Sequence, residues 1–140
     1  MTSTEAPTIA QVNELLAESG YDVTEVGADV IRVEDVTTGV SFQAALEGNV
    51  LFMTVSLITV PESSITLELT RLMLAGDNQI STSAFQFYPT ADGKVAVTLN
   101  NFCTLQNMGP EDEDDILSLA GYLLADLVTA RTLLENKLAA

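Results

Sequence analysis

The chain has 140 residues, 47% of them apolar, which is enough for one folded domain with a real core and excludes global disorder. Five basic residues face twenty acidic ones, a net charge of −15, and Arg32, Arg71 and Lys94 are scattered without forming a basic stripe. Such a field repels phosphate backbones and anionic lipid, so nucleic-acid and membrane-surface roles are disfavoured.

Residues 1–7 are small and polar and read as a flexible tail ahead of a single domain over 8–138. Thr8 and Gln11 fit a capping box. Ile9, Val12, Leu15 and Leu16 then fall at helical spacing, and Gly20 suits the left-handed position past the end. The first helix is therefore expected over about 9–18.

The period then changes. A short leading strand can occupy Tyr21–Val26. Segments 29–36, 40–47 and 50–58 are rich in β-branched and aromatic residues and are separated by Thr37-Thr38-Gly39 and Gly48-Asn49. In the second segment Val40, Phe42, Ala44 and Leu46 face one way against Ser41, Gln43 and Glu47, the pattern of a half-solvated antiparallel strand. The third is apolar on both faces: Leu51, Phe52, Met53 and Val55 mark either a central strand or one whose second face is covered from outside the core.

Pro61 and the serines at 63 and 64 signal a helix start, and Gly76-Asp77-Asn78 its end. Ile65, Leu69, Leu72 and Met73 share one helical face, so a helix is expected over about 62–75, although Ile65, Leu67 and Leu69 also alternate like a strand. Ala84–Tyr88 and Lys94–Leu105 form a hairpin around Asp92-Gly93. Val95, Val97, Leu99, Cys103 and Leu105 share the odd face of its second strand. Pro110 opens the last element, a helix of about 28 residues spanning roughly 42 Å. Ile116, Ala120, Leu123, Leu127, Leu134 and Leu138 form its first apolar stripe; Leu117, Leu124 and Val128 form a second. The expected class is α+β, a twisted antiparallel sheet with helices in the order α-βββ-α-ββ-α.

Chemistry has little to stand on in this sequence. There is no histidine, which removes the commonest general base and metal ligand and both the Ser-His-Asp and Cys-His arrangements. The single cysteine, Cys103, cannot form an intramolecular disulfide and reads as a small apolar residue on a buried strand face, since acidic surroundings raise a thiol pKa. Glu111-Asp112-Glu113-Asp114-Asp115 lack EF-hand spacing and diverge around the helix, so they read as a solvated start complementing the macrodipole rather than as a metal site. No glycine-rich phosphate loop occurs. A glycosidase needs only two carboxylates, but such sites carry aromatic platforms and this chain has no Trp. No catalytic, cofactor-binding or metal-binding residue is therefore assigned. Without a visible secretory signal or an unbroken apolar run of about 18 residues, a cytoplasmic location is expected.

The chain resembles the type III secretion chaperone-like fold and, within it, the YbjN-like family of proposed bacterial sensory transduction regulators. The resemblance is carried by Leu15-Leu16-Ala17-Glu18-Ser19-Gly20-Tyr21 closing the first helix, by the hairpins around Gly39 and Gly48, and by Leu72-Met73-Leu74-Ala75-Gly76. The Asp92-Gly93-Lys94 hairpin and the long C-terminal helix complete it, over about residues 8–138. It implies a dimeric, non-enzymatic domain that binds partly extended polypeptide or another protein.

The expected function is thus a protein-binding module, chaperone-like or regulatory, working as a homodimer without nucleic acid, membrane or cofactor. The alternative is a small-molecule-binding domain or a carboxylate-based hydrolase. The acidity reads either as solubility or salt adaptation, or as selection of a basic partner. Surplus apolar surface at Leu67, Leu74, Leu117, Gly121, Leu124 and Val128 is the expected dimer or partner surface.

Overall fold

The computed structural model describes residues 6–80 and 82–138, with side chains described to Glu135. The elements are α1 (Ile9–Glu18), β1 (Asp22–Gly27), β2 (Val30–Glu34), β3 (Ser41–Glu47), β4 (Val50–Pro61), a 3-10 turn (Glu62–Ser64), α2 (Leu67–Leu74), β5 (Ala84–Pro89), β6 (Lys94–Thr104) and α3 (Pro110–Leu138). The strands form an antiparallel six-stranded sheet in the order β1-β2-β3-β4-β6-β5, so the class is α+β as expected. The chain divides into two compact units. Unit 1 holds the residues up to Thr54 together with Asn101–Gly121, and unit 2 holds Val55–Asn100 with Tyr122 onward.

Unit 1 begins with a helix whose ends are both closed locally. The Thr8 hydroxyl accepts from the Gln11 amide at 3.3 Å while the Gln11 side chain accepts from the Thr8 amide at 2.9 Å. At the other end Gly20 takes φ +100, and the Tyr21 amide reaches back to the Leu16 carbonyl at 3.1 Å, the Schellman arrangement. Pro7, placed in the tail on composition, is buried just ahead of this helix, and residues 1–5 lie outside the described residues.

The strands of unit 1 show one buried and one open face. Along β2, β3 and the unit 1 part of β4 burial alternates, with Ile31, Val33, Phe42, Ala44, Leu46, Leu51 and Met53 inside. Val12, Leu15 and Leu16 of α1 and Leu105, Ile116, Leu119 and Ala120 complete this core. The leading strand expected over Tyr21–Val26 forms over Asp22–Gly27, so four strands and not three precede α2. The segment expected over 29–36 is shorter, because Asp29 adopts φ +60 in the turn before it and Asp35 turns the chain after it, accepting from the Gly39 amide at 2.7 Å.

Unit 2 corrects the helix expected over 62–75. Strand β4 runs on through Pro61, Glu62–Ser64 form only a 3-10 turn, and the α-helix starts at Leu67. Thr66 decides this locally: its hydroxyl accepts from the Leu69 amide at 3.1 Å, so Thr66 and not a serine is the cap. Ile65 is accordingly outside the helix, with ψ 89. The core of this unit is Leu69, Met73, Val97 and Leu134, with Leu57, Ile65, Phe85 and Leu133 packed on it. Asp126 is buried on α3 and its Oδ2 accepts from the amides of Thr82 and Ser83 at 3.2 and 3.1 Å, which fixes the entry to β5.

By length and composition α3 is apolar enough to cross a membrane, yet its first stripe is spent on the protein's own core. Ile116, Ala120, Leu123, Leu127 and Leu134 are all buried. The side chain of Leu138 lies outside the described residues.

Candidate functional site

The register of unit 1 collects the open-face residues into rows that cross the strands. Thr24, Arg32, Gln43 and Thr54 form a polar row, through the pairs Thr24↔Arg32, Arg32↔Gln43 and Gln43↔Thr54. The next row is apolar. Val30 pairs with Ala45 and Ala45 with Phe52, and the Phe52 ring lies 5.9 Å from that of Phe102, tilted by 39°. Val30 and Ala45 are half-buried, whereas Phe52 is 38% exposed and Phe102 63%. An aromatic pair this exposed, beside a polar row on the same sheet face, is large apolar area left in water.

The third sequence segment is a central strand, as one of its two readings expected, with β4 lying between β3 and β6. Leu51, Met53 and Val55 are buried, while Phe52 faces the open side. The strand is two-faced, and its second face in unit 1 is not covered by the unit's own helices. The sequence reading missed Phe102 because it followed only the odd face of β6. The available signal was parity, since Phe102 is a single aromatic between Asn100 and Thr104 on the even face.

The other expected surface residues divide. Leu67 and Leu74 lie seven residues apart on the outer side of α2, and Leu74 is 74% exposed. Val128 is 66% exposed on α3, Leu117 and Leu124 are half-buried, and Gly121 is exposed with open space where a Cβ would stand. In unit 2 an open groove of about 550 Å³ is lined by Leu72, Asn78, Val128, Thr132 and Leu133 among others. In unit 1 a smaller hollow of about 210 Å³ is lined by Gln11, Glu14, Leu15, Glu18, Met108 and Glu113.

The acidic run is corrected at one residue. Glu111, Glu113, Asp114 and Asp115 are exposed as expected, but Asp112 is buried. Its Oδ2 accepts from three successive amides, Gln106, Asn107 and Met108, at 2.7, 2.9 and 2.8 Å. Met108 takes φ +59, which turns the loop so that these amides converge on the carboxylate. Asp112 thus pins the β6–α3 loop to the helix start. Among the described residues no group of three or more His, Cys, Asp or Glu is placed to hold a metal ion.

Cys103 is half-buried. Burial pushes its thiol up to about 11, and the carboxylates of Asp115 and Asp112 push in the same direction. The protonated thiol is therefore the form the fold prefers. Alkylation of native protein by iodoacetamide at pH 7.5 is expected to be slow and to accelerate only toward pH 11. The raised value also stabilises the fold fully below about pH 9, and that contribution is lost as pH rises through about 11. Rapid stoichiometric alkylation at neutral pH contradicts this placement.

Comparison with known proteins bears on the fold. Neither a protein-family model nor a curated protein sequence matches the chain. The crystal structure of YbjN from E. coli, described as a candidate transcription regulator, superposes with a TM-score of 0.66. It covers 96% of this chain and 95% of that one, at 13% identity. The chain has a YbjN-like fold. At that identity the likeness to YbjN is one of architecture, and the apolar row and the buried Asp112 stand on this chain's own residues.

Proposed function

We propose that the protein is a non-enzymatic, chaperone-like or regulatory module that binds a partner polypeptide through the open sheet face of unit 1. One observation carries this reading: Val30, Ala45, Phe52 and Phe102 align across the bare side of the sheet, ending in an exposed aromatic pair. Contiguous apolar surface rimmed by polar residues is characteristic of protein contacts, and aromatic anchors dominate their energetics. The absence of histidine and the raised Cys103 thiol leave the usual nucleophilic and acid–base chemistry without its residues. YbjN's description as a candidate regulator agrees with a role exercised through contacts rather than turnover.

Capture from native cell lysate tests the reading, with wild type, Phe102→Ser and Val36→Ser compared by quantitative mass spectrometry. Val36 is exposed in unit 1 but lies off the row. Proteins enriched by wild type and by Val36→Ser are expected to fall about 30-fold with Phe102→Ser, the loss typical of an aromatic anchor worth about 2 kcal/mol. Equal capture by all three, with a small molecule raising the melting temperature in a ligand screen, favours the ligand-binding or hydrolytic alternative.

The module also works as a two-fold dimer in this proposal, through the exposed leucines of α2 in unit 2. Leu67 and Leu74 leave apolar surface that a self-complementary contact removes from water. Burial contributes about 1.5–3 kcal/mol for each such side chain before association costs. Two bodies of −15 repel, so the dimer is expected to tighten with added salt, which shortens the Debye length. Light scattering at low and high salt is expected to give twice 14.9 kDa at high salt, and Leu74→Asp to return the monomer mass. A 14.9 kDa species at high salt for wild type contradicts the dimer.

A further inference from the structure

We infer that the occupant of the unit 1 row is a basic amphipathic α-helix of the partner, lying across the strands on Val30, Ala45, Phe52 and Phe102. This rests on the protein-binding reading and deepens it.

Geometry favours a helix over an extended segment. The row crosses four neighbouring strands, three inter-strand spacings or about 14 Å. A helix rising about 1.5 Å per residue covers that distance in about ten residues and presents apolar side chains at i, i+4 and i+7 along one line. Its backbone hydrogen bonds are internal, so it can rest on apolar side chains without leaving amides unpaired. An extended strand laid on the same row would place unpaired N–H and C=O groups over aromatic rings. Such a strand would pair instead at a sheet edge, β1 or β5, where the row plays no part.

Charge selects the flanks of that helix. Arg32 is the only basic residue among the described residues of unit 1, and its guanidinium already donates to the Ser41 hydroxyl at 3.3 Å. The same unit carries well over half of the chain's twenty acidic residues, with Glu47 exposed two residues beyond Ala45 on the same face of β3. On the open face Arg32 stands in the row on one side and Glu47 on the other. Lysines and arginines on the Glu47 side of an apolar stripe therefore meet that carboxylate and the net negative field of the unit favourably, and a second copy of the same acidic unit does not.

Fluorescence anisotropy with a designed, fluorescein-labelled helical peptide tests the inference. The probe is a 12-residue peptide with leucines at one i, i+4, i+7 line and lysines on the flanks. Controls are a scrambled peptide of identical composition and a version with glutamate for lysine. The native-patterned peptide is expected to bind at least about tenfold tighter than either control and to weaken as salt rises. Phe52→Ser and Phe102→Ser, each made singly, are expected to weaken it by about tenfold or more, and Val36→Ser to leave it unchanged. Both phenylalanines are exposed, and an unaltered circular dichroism spectrum checks that each variant is folded.

Equal binding of the scrambled peptide overturns the inference in favour of charge alone. Unchanged binding in both Phe variants overturns it in favour of a sheet edge or the unit 2 groove. A wild-type dimer that Phe102→Ser dissociates overturns it in favour of a second copy on the row. No peptide binding, with lysate capture still lost in Phe102→Ser, overturns the helical occupant while the protein-binding reading stands.

Discussion

Asp112→Ala is expected to destabilise the protein by about 3 kcal/mol, because it removes one acceptor shared by three amides. Hydrogen bonds to a charged group contribute about 1.5–3 kcal/mol each in isolation. The three here are partly buried and share one oxygen, so their sum is not additive. Alanine also leaves the Gln106, Asn107 and Met108 amides pointing at nothing, with Met108 held at φ +59. Asp112→Asn keeps a neutral acceptor and is expected to lose roughly half as much. Urea denaturation reads both: the midpoint falls in the order wild type, Asn, Ala with an unchanged slope. Equal midpoints for alanine and wild type would mean that water serves the three amides as well as the carboxylate does.

Asn101→Asp is expected to cost more, about 4 kcal/mol. Asn101 is 4% exposed on the core face of β6. Its Nδ2 donates to the Leu119 carbonyl at 3.0 Å, while its Oδ1 has no partner among the described groups. Aspartate at this position faces a carbonyl instead of donating to it and brings an uncompensated charge into the core, the kind of change that costs about 3–5 kcal/mol. The opposite substitution sharpens the test. Asn101→Leu removes the orphan acceptor together with the donor, and replacing both by apolar volume is expected to be neutral or stabilising by about 1 kcal/mol. Thermal melts separate the pair: the aspartate variant drops by about ten degrees or more, and the leucine variant stays level or rises. A leucine variant that falls as far as the aspartate one would show that the Leu119 contact, and not the orphan oxygen, dominates the site.

These two residues also mark where sequence reading ran out. The alternation in β3, the Thr8–Gln11 box, Gly20, and the stripe Ile116–Ala120–Leu123 are local patterns, and each appears in the fold as periodicity predicts. Asp112 and Asn101 obey no local pattern. One sits in a run of five acidic residues and differs from its neighbours only because a loop folds back over it. The other interrupts an apolar face at one position, and its partner is eighteen residues away on another element. The α2 boundary failed for a related reason: Pro61 and two serines signal a helix start, but the Thr66 cap five residues on is stronger in place. Leu67, Leu74 and Val128 were legible as surplus apolar surface, because they fall outside stripes that the core already fills. For Phe102 parity places the ring on the even face of β6, but its significance depends on β6 lying beside β4, a long-range pairing that brings its ring to Phe52.

The chain contains no tryptophan, so a tryptophan introduced at one position reports on that position alone. Phe102→Trp places the reporter at the exposed end of the apolar row, and Tyr122→Trp places one on the exposed side of α3. Emission from each is recorded as the purified captured partner is added in excess. Partner docking on the sheet face predicts a blue shift and protection from acrylamide quenching for Phe102→Trp, with Tyr122→Trp remaining at its solvent-exposed wavelength. A saturable shift confined to Tyr122→Trp, with Phe102→Trp still quenched as freely as in the unbound protein, would contradict the assignment of the sheet face as the binding surface.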